Sequence, residues 1–273
     1  VKSWIHKTPC STASPMTNKG YNPLTLTAAT EKVVVDGARR KYVQLGRPLR
    51  FYGGTTSATE VGCNLRCKFC FSDKPVWKPK QTGKFYTPQQ VFDGLAKSAR
   101  KHGHKIISAS ASEGTIGREH LMQLLDLVEQ SEFVYVLETN GMILGNDPEY
   151  CQALAKYKRL HVRVSIKGDS PELYHELTGA IPDSYEFPYT ALQYLIDAGV
   201  SCNACLMSSF SDDDGIKRVQ KKLMDIHPGI LKSLEIEKIT MFPKVAQRLS
   251  ENGLKPINAK RIRTKSRRQS HAA

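Results

Sequence analysis

Three cysteines lie close together in this chain, at positions 63, 67 and 70, with the spacing C-x3-C-x2-C. An aromatic residue, Phe69, directly precedes the last of them. The chain has seven cysteines in 273 residues, and chance would place this spacing in such a chain only about 0.005 times. The spacing therefore indicates a site in which three thiols act together, and the fold has to present that site.

Three thiolates on one loop can each bind one iron of a [4Fe-4S] cluster, because soft sulfur ligands suit iron–sulfur clusters. The fourth iron then has no protein ligand and can bind a small chelating molecule. A zinc site is less favoured, because structural zinc takes four ligands and no second Cys or His pair at finger-like spacing lies near residues 63–70. A disulfide framework would need an oxidising compartment and many more cysteines.

The length of the chain suits one large core, as in α/β barrels that form a single domain. The sequence has no apolar run of about 18 residues that could span a membrane, and its first residues do not have the pattern of a signal peptide. We therefore expect a soluble, cytoplasmic protein without a membrane partner. In that compartment thiols stay reduced and a cluster survives.

The net charge of +14 is unevenly distributed. Residues 255–273 contain seven basic residues and no acidic one. Such a tail can be an arm that binds RNA, DNA or an acidic protein, and it can equally be a solvated terminus. We divide the chain into an N-terminal extension (1–50), a core domain (51–245) and a basic C-terminal tail (246–273).

From about residue 51, short apolar strands alternate with amphipathic helices, which predicts an α/β fold with a parallel sheet. An open partial (βα)6 barrel and a doubly wound sheet fit this periodicity equally well. In either fold the site lies at the carboxyl ends of the strands, where residues 63–70 fall. Residues 1–50 are expected to be irregular apart from a strand at 31–36, and residues 73–84 are also expected to be irregular. The predicted strands cover residues 55–61, 104–110, 133–138, 160–167, 200–207 and 234–241, and the predicted helices cover 88–102, 118–130, 148–158, 171–177, 188–198 and 214–226.

The triplet Cys63, Cys67 and Cys70, with Phe69 before the last cysteine, resembles the signature loop of the radical S-adenosylmethionine (SAM) enzymes. In that family the three cysteines bind a [4Fe-4S] cluster whose free iron chelates SAM, and one electron from the cluster generates a 5'-deoxyadenosyl radical. The resemblance implies the open, partial TIM-like (βα)6 barrel, the cofactors [4Fe-4S] and SAM, and an external one-electron donor such as flavodoxin or ferredoxin. It covers about residues 58–243 and is strongest at the cysteine loop.

The resemblance also suggests residues that contact SAM. Residues 111–114 follow the second strand and occupy the place of the family's Gly-Gly-Glu-Pro motif, with Glu113 retained, Ala111 and Ser112 in place of the glycines and Gly114 in place of the proline. Segments 138–141 and 165–168 resemble SAM-contacting segments of the glycyl-radical-enzyme activating enzymes, which have Asp where Ser165 stands. Each of these segments alone could also be an ordinary turn. The expected SAM contacts are Phe69, Ala111, Ser112, Glu113, Asn140, Ser165 and Lys167.

Cys202 and Cys205 do not form a second metal site in this interpretation, because residues three apart on a strand face opposite sides of the sheet. With Cys151, on a predicted helix, they are expected to be buried thiols packed as small apolar groups. His175 and Asp212 could line the site or lie at the surface, and the sequence leaves both possibilities open.

We expect an anaerobic oxidoreductase of the radical SAM type, which abstracts hydrogen from a substrate bound at the strand ends. The favoured substrate is a protein, as in the activating enzymes, and modification of RNA or of a nucleotide-like metabolite is the alternative because of the basic tail. The sequence singles out no catalytic residue. An RNA-binding protein with a structural or redox-sensing cluster is an alternative of another class, in which a fourth protein ligand would close the cluster and SAM would not be cleaved.

Overall fold

One nine-stranded sheet organises the protein, and the computed structural model describes residues 20–260 of it. The strands are β1 (Val35–Asp36), β2 (Arg39–Leu49), β3 (Thr55–Glu60), β4 (Lys84–Tyr86), β5 (Ile106–Ser110), β6 (Val134–Thr139), β7 (Leu160–Lys167), β8 (Cys202–Met207) and β9 (Glu235–Glu237). Their order in the sheet is β1-β2-β3-β5-β6-β7-β8-β9, and β4 pairs with β2. From β3 to β9 all neighbours are parallel, whereas β1, β2 and β4 are antiparallel to their partners.

Helices connect the six parallel strands, as the alternating sequence pattern predicts. The helices of the described residues are α1 (Pro23–Val34), α2 (Lys74–Trp77), α3 (Pro88–His102), α4 (Arg118–Glu129), α5 (Met142–Asn146), α6 (Pro148–Leu154), α7 (Pro171–Thr178), α8 (Phe187–Asp197), α9 (Asp213–Ile226) and α10 (Pro243–Glu251). The prediction of an open, partial TIM-like (βα)6 barrel is therefore confirmed.

Local signals fix the bounds of α3 as predicted. The Thr87 hydroxyl accepts a hydrogen bond from the Gln90 amide at 3.2 Å, and the Gln90 side chain accepts one from the Thr87 amide at 2.9 Å. This reciprocal pair is a capping box, with Pro88 at the first helical position. Gly103 ends the helix with φ of 69°, which glycine adopts at low cost.

The N-terminal part of the described chain differs from the prediction. Residues 31–36 were expected to form a strand, but α1 extends to Val34 and only Val35–Asp36 is a strand. The helix begins at a capped end, where the Asn22 side chain accepts from the Leu24 amide at 2.8 Å, and it buries Val34 against Val61 and Ile116. A helix cap and a burial stripe thus outweigh the β-propensity of three consecutive valines.

The expectation of irregular structure up to residue 50 is also wrong for β2, an 11-residue strand that pairs with β3. Its register shifts twice, between Tyr42 and Gln44 and between Gln44 and Arg47. Such bulges interrupt the two-residue alternation by which a strand is recognised in a sequence. Residues 73–84, expected to be irregular, likewise contain the short helix α2 and a 3-10 turn at Pro79–Gln81.

The predicted basic tail begins inside the fold. Helix α10 runs across residue 246, and Val245 and Leu249 on it are buried. Arg248 contacts the backbone carbonyl of Cys70, and Lys244 pairs with Asp73, so α10 packs against the cysteine loop. Residues 246–260 are part of the described structure, and residues 261–273 of the tail lie outside the described residues.

The two faces of the parallel sheet have different chemistry. On β7, alternate residues from Leu160 to Ile166 are at most 2% exposed and belong to the apolar core beneath the helices. The residues between them are His161, Arg163, Ser165 and Lys167, so the opposite face, which lines the barrel interior, is polar. Within residues 20–260 no helix has the length and apolar character that a membrane crossing requires.

Candidate functional site

The cysteine loop follows β3 directly and lies at the carboxyl edge of the parallel sheet. Contacts from distant parts of the chain hold its backbone. The Lys68 amide donates to the carbonyl of Leu177 at 2.9 Å, and the Arg66 amide donates to the Tyr21 hydroxyl at 2.7 Å. The loop is therefore positioned by α7 and by the segment before α1, as well as by the strand that precedes it.

The three thiols differ only slightly in exposure: Cys67 is buried, and Cys63 and Cys70 are partly buried. Burial raises the pKa of all three thiols, that of Cys67 to about 12. Among residues 20–260, no three Cys, His, Asp or Glu side chains converge as the ligands of one metal ion would. In a cluster each thiolate binds a different iron, and the set of three soft donors on one loop fits a [4Fe-4S] group.

Glu113 joins two of the predicted site segments. Its carboxylate is buried, and Oε1 accepts hydrogen bonds from the Thr115 amide at 3.1 Å and from the hydroxyls of Thr115 and Thr139 at 2.6 Å each. Oε2 accepts from the Asn140 amide at 2.7 Å. The side chain of Glu113 therefore connects the loop after β5 to the end of β6. Its backbone is also occupied, because its amide donates to the Gly62 carbonyl at 2.9 Å and its carbonyl accepts from Arg40 Nη2.

Asn140 extends this connection to the cysteine loop. Its Nδ2 donates to Asn64 Oδ1 at 2.7 Å and lies 3.8 Å from Cys63 Sγ, while its Oδ1 accepts from the Met142 amide at 3.1 Å. Asn64, which is fully buried, also donates to Thr27 Oγ1 at 2.9 Å. The sequence analysis did not identify Asn64, because an asparagine inside a cysteine loop has no distinguishing local pattern.

Residue 111 has a backbone conformation typical of glycine, whereas residue 112 contributes its side chain. Ala111 has φ of 73°, in the left-handed region that glycine adopts most easily. The Ser112 hydroxyl donates to Glu60 Oε2 at 2.5 Å, so this side chain points at the end of β3. The loop after β5 is thus fastened to β3 by Ser112 and to β6 by Glu113.

Glu60 is part of a buried polar network that the sequence analysis missed. Arg40 on β2 is completely buried, with Nε 3.4 Å from Glu60 Oε1 and Nη2 donating to the Glu113 carbonyl at 3.0 Å. The Tyr42 hydroxyl lies 3.1 Å from Glu60 Oε1 and 2.9 Å from His120 Nε2. Burial raises the pKa of Glu60 and lowers that of His120 to about 4. Two members of the network stand on the strand β2 that was expected to be irregular.

Phe69, Ser165 and Lys167 lie close together. The Lys167 ammonium donates to Ser165 Oγ at 2.5 Å and lies 5.9 Å from the centre of the Phe69 ring. Lys167 also lowers the pKa of Cys67 against the larger, raising effect of burial, which indicates that its charge lies near the cysteine loop. Phe69 packs against Phe210 with ring centres 5.8 Å apart.

The remaining candidates have structural contacts. Asp212 caps α9 by accepting from the Gly215 amide at 2.7 Å, and the His175 ring pairs with the Ala180 carbonyl at 2.7 Å. Cys202 and Cys205 face opposite sides of β8, as predicted. Cys205 differs from the expected apolar packing, because Arg163 Nη2 donates to its sulfur at 2.7 Å inside the barrel.

The model of the Radical SAM superfamily matches residues 59–221, which is more than half of the chain. The chain therefore belongs to the radical SAM superfamily. Its members are enzymes that use a [4Fe-4S] cluster and SAM, and they need an external electron donor.

Among named proteins, the chain is 25% identical over 201 residues to a probable GTP 3',8-cyclase of Methanosarcina acetivorans, a match that covers 72% of this chain and 55% of the relative. It is 28% identical over 113 residues to the 7-carboxy-7-deazaguanine synthase of Rhodopirellula baltica, covering 41% of this chain and 40% of the relative. The chain thus spans about half the length of these relatives or less.

Solved structures share the fold at low identity. Streptococcus suis SuiB superposes with a TM-score of 0.51 at 16% identity, over 76% of this chain and 47% of SuiB. The structure of anSMEcpe with bound AdoMet and the Cp18Cys peptide has a TM-score of 0.50 at 16% identity, over 75% of this chain and 61% of that protein. At these identities the likeness concerns the fold alone.

Proposed function

We propose that this chain cleaves SAM at a [4Fe-4S] cluster held by Cys63, Cys67 and Cys70, and that it abstracts hydrogen from a polar substrate inside the barrel. The observation that carries the proposal is the position of the three-thiol loop at the carboxyl edge of the sheet, directly above a polar barrel interior. When bound and reduced, the cluster supplies one electron to SAM, and the resulting 5'-deoxyadenosyl radical abstracts hydrogen from the substrate.

The residues of the chain position these groups. The partly exposed backbone of residues 111 and 112 would bind the amino group of SAM, since both the side chain and the backbone of the buried Glu113 are occupied within the protein. Lys167 supplies positive charge for the SAM carboxylate, with Ser165 orienting its ammonium. Phe69 offers an apolar surface to the adenine, and Ala111, Ser112 and Asn140 shape the loops around it. We retain residues 51–245 as the catalytic core.

Three substrate classes remain as proposals. We favour a compact, nucleotide-like molecule, because the barrel interior carries charged groups on β6, β7 and β9 and because the two named relatives are a GTP cyclase and a deazaguanine synthase. A protein substrate, as in the activating enzymes, is supported by the resemblance of segments 138–141 and 165–168 to those enzymes. Modification of RNA would use the basic residues that follow residue 255.

We infer that the electron donor is an acidic carrier such as flavodoxin or ferredoxin, in the cytoplasm. The support is electrostatic. Lysines 74, 78, 80 and 244 are exposed on the segments that follow and cover the cysteine loop, and Asp73 is the acid paired with one of them. Opposite charge accelerates the encounter of two proteins and orients them. An acidic carrier that docks on these lysines would approach the cluster through the cysteine loop itself.

The experiment is an anaerobic assay of SAM cleavage. The protein is reconstituted with iron and sulfide, reduced with dithionite and given SAM, and 5'-deoxyadenosine is quantified for the wild type, Cys67→Ala and Cys202→Ala. We expect the Cys67→Ala variant to lose the cluster and the product, and the matched Cys202→Ala variant to retain both. A wild-type protein that holds a cluster but forms no 5'-deoxyadenosine, with or without candidate substrates, would contradict the proposal and favour a structural or sensing cluster.

A further inference from the structure

Carboxylates and cations alternate on the interior face of the barrel. The strand register sets Glu138 of β6 beside Arg163 of β7, and it sets Cys205 of β8 beside Glu235 of β9. Interior-facing residues of neighbouring strands form layers across a barrel. On β6, β7 and β9 the charged side chains of these layers are Glu138, Arg163, Lys167, Glu235 and Glu237.

The side chain of Arg163 pairs with groups on β8 and β9. Its Nε donates to Glu235 Oε2 at 2.9 Å, and its Nη2 donates to Cys205 Sγ at 2.7 Å and lies 3.6 Å from Glu237 Oε2. Glu235 also accepts from Asn203 Nδ2 at 2.9 Å. The guanidinium of Arg163 therefore points towards β9 and away from Glu138, its register neighbour on β6.

Glu138 is left without such a partner. Within residues 20–260 its carboxylate makes no hydrogen bond and no ion pair, although both Glu235 and Glu237 pair with Arg163. Burial raises the pKa of Glu138, and the charges of Arg163 and Lys167 lower it only in part. The Glu138 side chain is partly exposed, so a ligand can reach the carboxylate and supply donors in place of water.

The cations of this interior are held by other groups. Arg163 pairs with Glu235 and Glu237 on β9, and Lys167 is held by Ser165 near Phe69 at the SAM end. Arg47 of β2 adds a third cation on this face, with Nη2 3.5 Å from Ser110 Oγ. Glu138 therefore has no directly paired cation among the described residues, which favours a cationic group or a group with several N–H donors.

Glu138 is also close in the chain to the proposed SAM site. Thr139 and Asn140 follow it directly and donate hydrogen bonds to Glu113. Because successive side chains of a strand point to opposite faces, Glu138 faces the barrel interior when Thr139 faces the loop. A substrate group bound by Glu138 would thus be held at the carboxyl end of β6, beside the site at which the radical is generated.

We propose that the Glu138 carboxylate binds a substrate group that presents two parallel N–H donors, such as the edge of a guanine base or a guanidinium; this inference rests on the proposed function of the same site. A carboxylate has two oxygens in one plane and accepts such a pair of donors in a bidentate manner. A guanine base would come from a nucleotide and a guanidinium from an arginine of a peptide, so the source decides between the two substrate classes.

The experiment uses pairs of probes that differ in these donors. The reconstituted holoprotein with SAM is titrated under anaerobic conditions with GMP against IMP, which lacks the 2-amino group, and with N-acetylarginine amide against N-acetyllysine amide, which keeps the positive charge but lacks the planar pair of N–H donors. Binding is measured by calorimetry, and 5'-deoxyadenosine formation is measured in parallel. We expect either GMP or the arginine derivative, which present two parallel N–H donors, to bind at least tenfold more tightly than its partner. Tighter binding of GMP would support a nucleotide substrate, and tighter binding of the arginine derivative would support a peptide substrate.

Variants test whether Glu138 causes the difference in affinity within a pair of probes. Glu138→Gln should reduce the ratio within the pair to about threefold or less, Glu138→Asp should retain part of it, and Glu172→Gln, which changes a carboxylate on α7, should leave it unchanged. Two results would overturn the proposal. The first is that the wild type shows no preference within either pair, a result that does not depend on whether Glu138→Gln folds. The second is that the preference survives in a folded Glu138→Gln protein. Formation of 5'-deoxyadenosine by the wild type tests the proposed function separately from both results.

Discussion

Replacing Glu113 by glutamine tests whether one buried carboxylate holds the site loops together. In the wild type its two oxygens accept four hydrogen bonds, three on Oε1 and one on Oε2. A glutamine has one acceptor oxygen and one NH2 group. In either orientation the NH2 group faces a donor, the Asn140 amide on one side or the Thr115 amide on the other.

The cost follows from these contacts. The substitution loses at least one charge-assisted hydrogen bond, leaves a buried N–H without an acceptor, and makes the remaining bonds neutral. We expect a destabilisation of about 2–4 kcal/mol, which for a chain of this size corresponds to a decrease in Tm of roughly 4–16 °C. The affinity for SAM should also fall, because residues 111–113 and the end of β6 are no longer tied together.

The assay is urea and thermal unfolding of the wild type, Glu113→Gln and Glu119→Gln, with SAM binding measured by calorimetry. Glu119 is a matched control, since it is exposed on α4 and accepts only from the Gln123 side chain at 3.1 Å. If Glu113→Gln and Glu119→Gln unfold within about 0.5 kcal/mol of each other, a typical change for a surface substitution, the argument that Glu113 fastens these loops is refuted.

Three further outcomes are expected. Burial lowers the pKa of His120 to about 4, against about 6.5 in the unfolded chain, so the free energy of unfolding should fall by about 2 kcal/mol between pH 7 and pH 5. In urea unfolding, the His120→Gln variant should show a pH effect that is smaller by that amount. Equal pH effects in the wild type and the variant would contradict the assignment. Ala111→Gly should stabilise the protein by up to about 1 kcal/mol, because Ala111 has a positive φ, whereas the same change at the strand residue Ala109 should destabilise it in the same unfolding assay. Lys78→Glu should slow the reduction of the cluster by flavodoxin about threefold at low salt, without changing its reduction by dithionite. The control variant Lys221→Glu, on α9, should leave both rates unchanged. Equal slowing by the two variants would count against docking at the cysteine loop.

Most of the fold could be predicted from the sequence, because its signals are local. The apolar alternation of β7 predicts the strand with its observed bounds, and the capping box at Thr87 predicts the start of α3. The same periodicity places the cysteine loop at the carboxyl edge of the sheet. Local rules were sufficient here because each parallel strand is short, buried and followed by its own helix.

The sequence could not predict the contacts that join the site segments. Arg40 belongs to a strand whose bulges conceal its alternation, and Glu60 and His120 belong to correctly predicted elements but come together only in the folded chain. A hydrogen bond between residues 18 or 78 positions apart leaves no pattern in a sequence. The free carboxylate of Glu138 likewise becomes evident only when the partners of Arg163 are known.

The departure from two glycines at positions 111 and 112 is accompanied by a physical compensation. Ala111 retains a strained left-handed φ, and a non-glycine residue in that region costs of order 1 kcal/mol. Ser112 supplies a hydrogen bond to Glu60 that glycine could not make. Glu60 is in turn paired with Arg40, whose Nε and Nη1 have no hydrogen-bond acceptor among the described residues. A buried ion pair of this kind adds little net stability, so its value lies in geometry. It holds β2, the end of β3 and the loop after β5 in one arrangement, and it makes the backbone position at residues 111–113 depend on a strand that lies outside the parallel barrel.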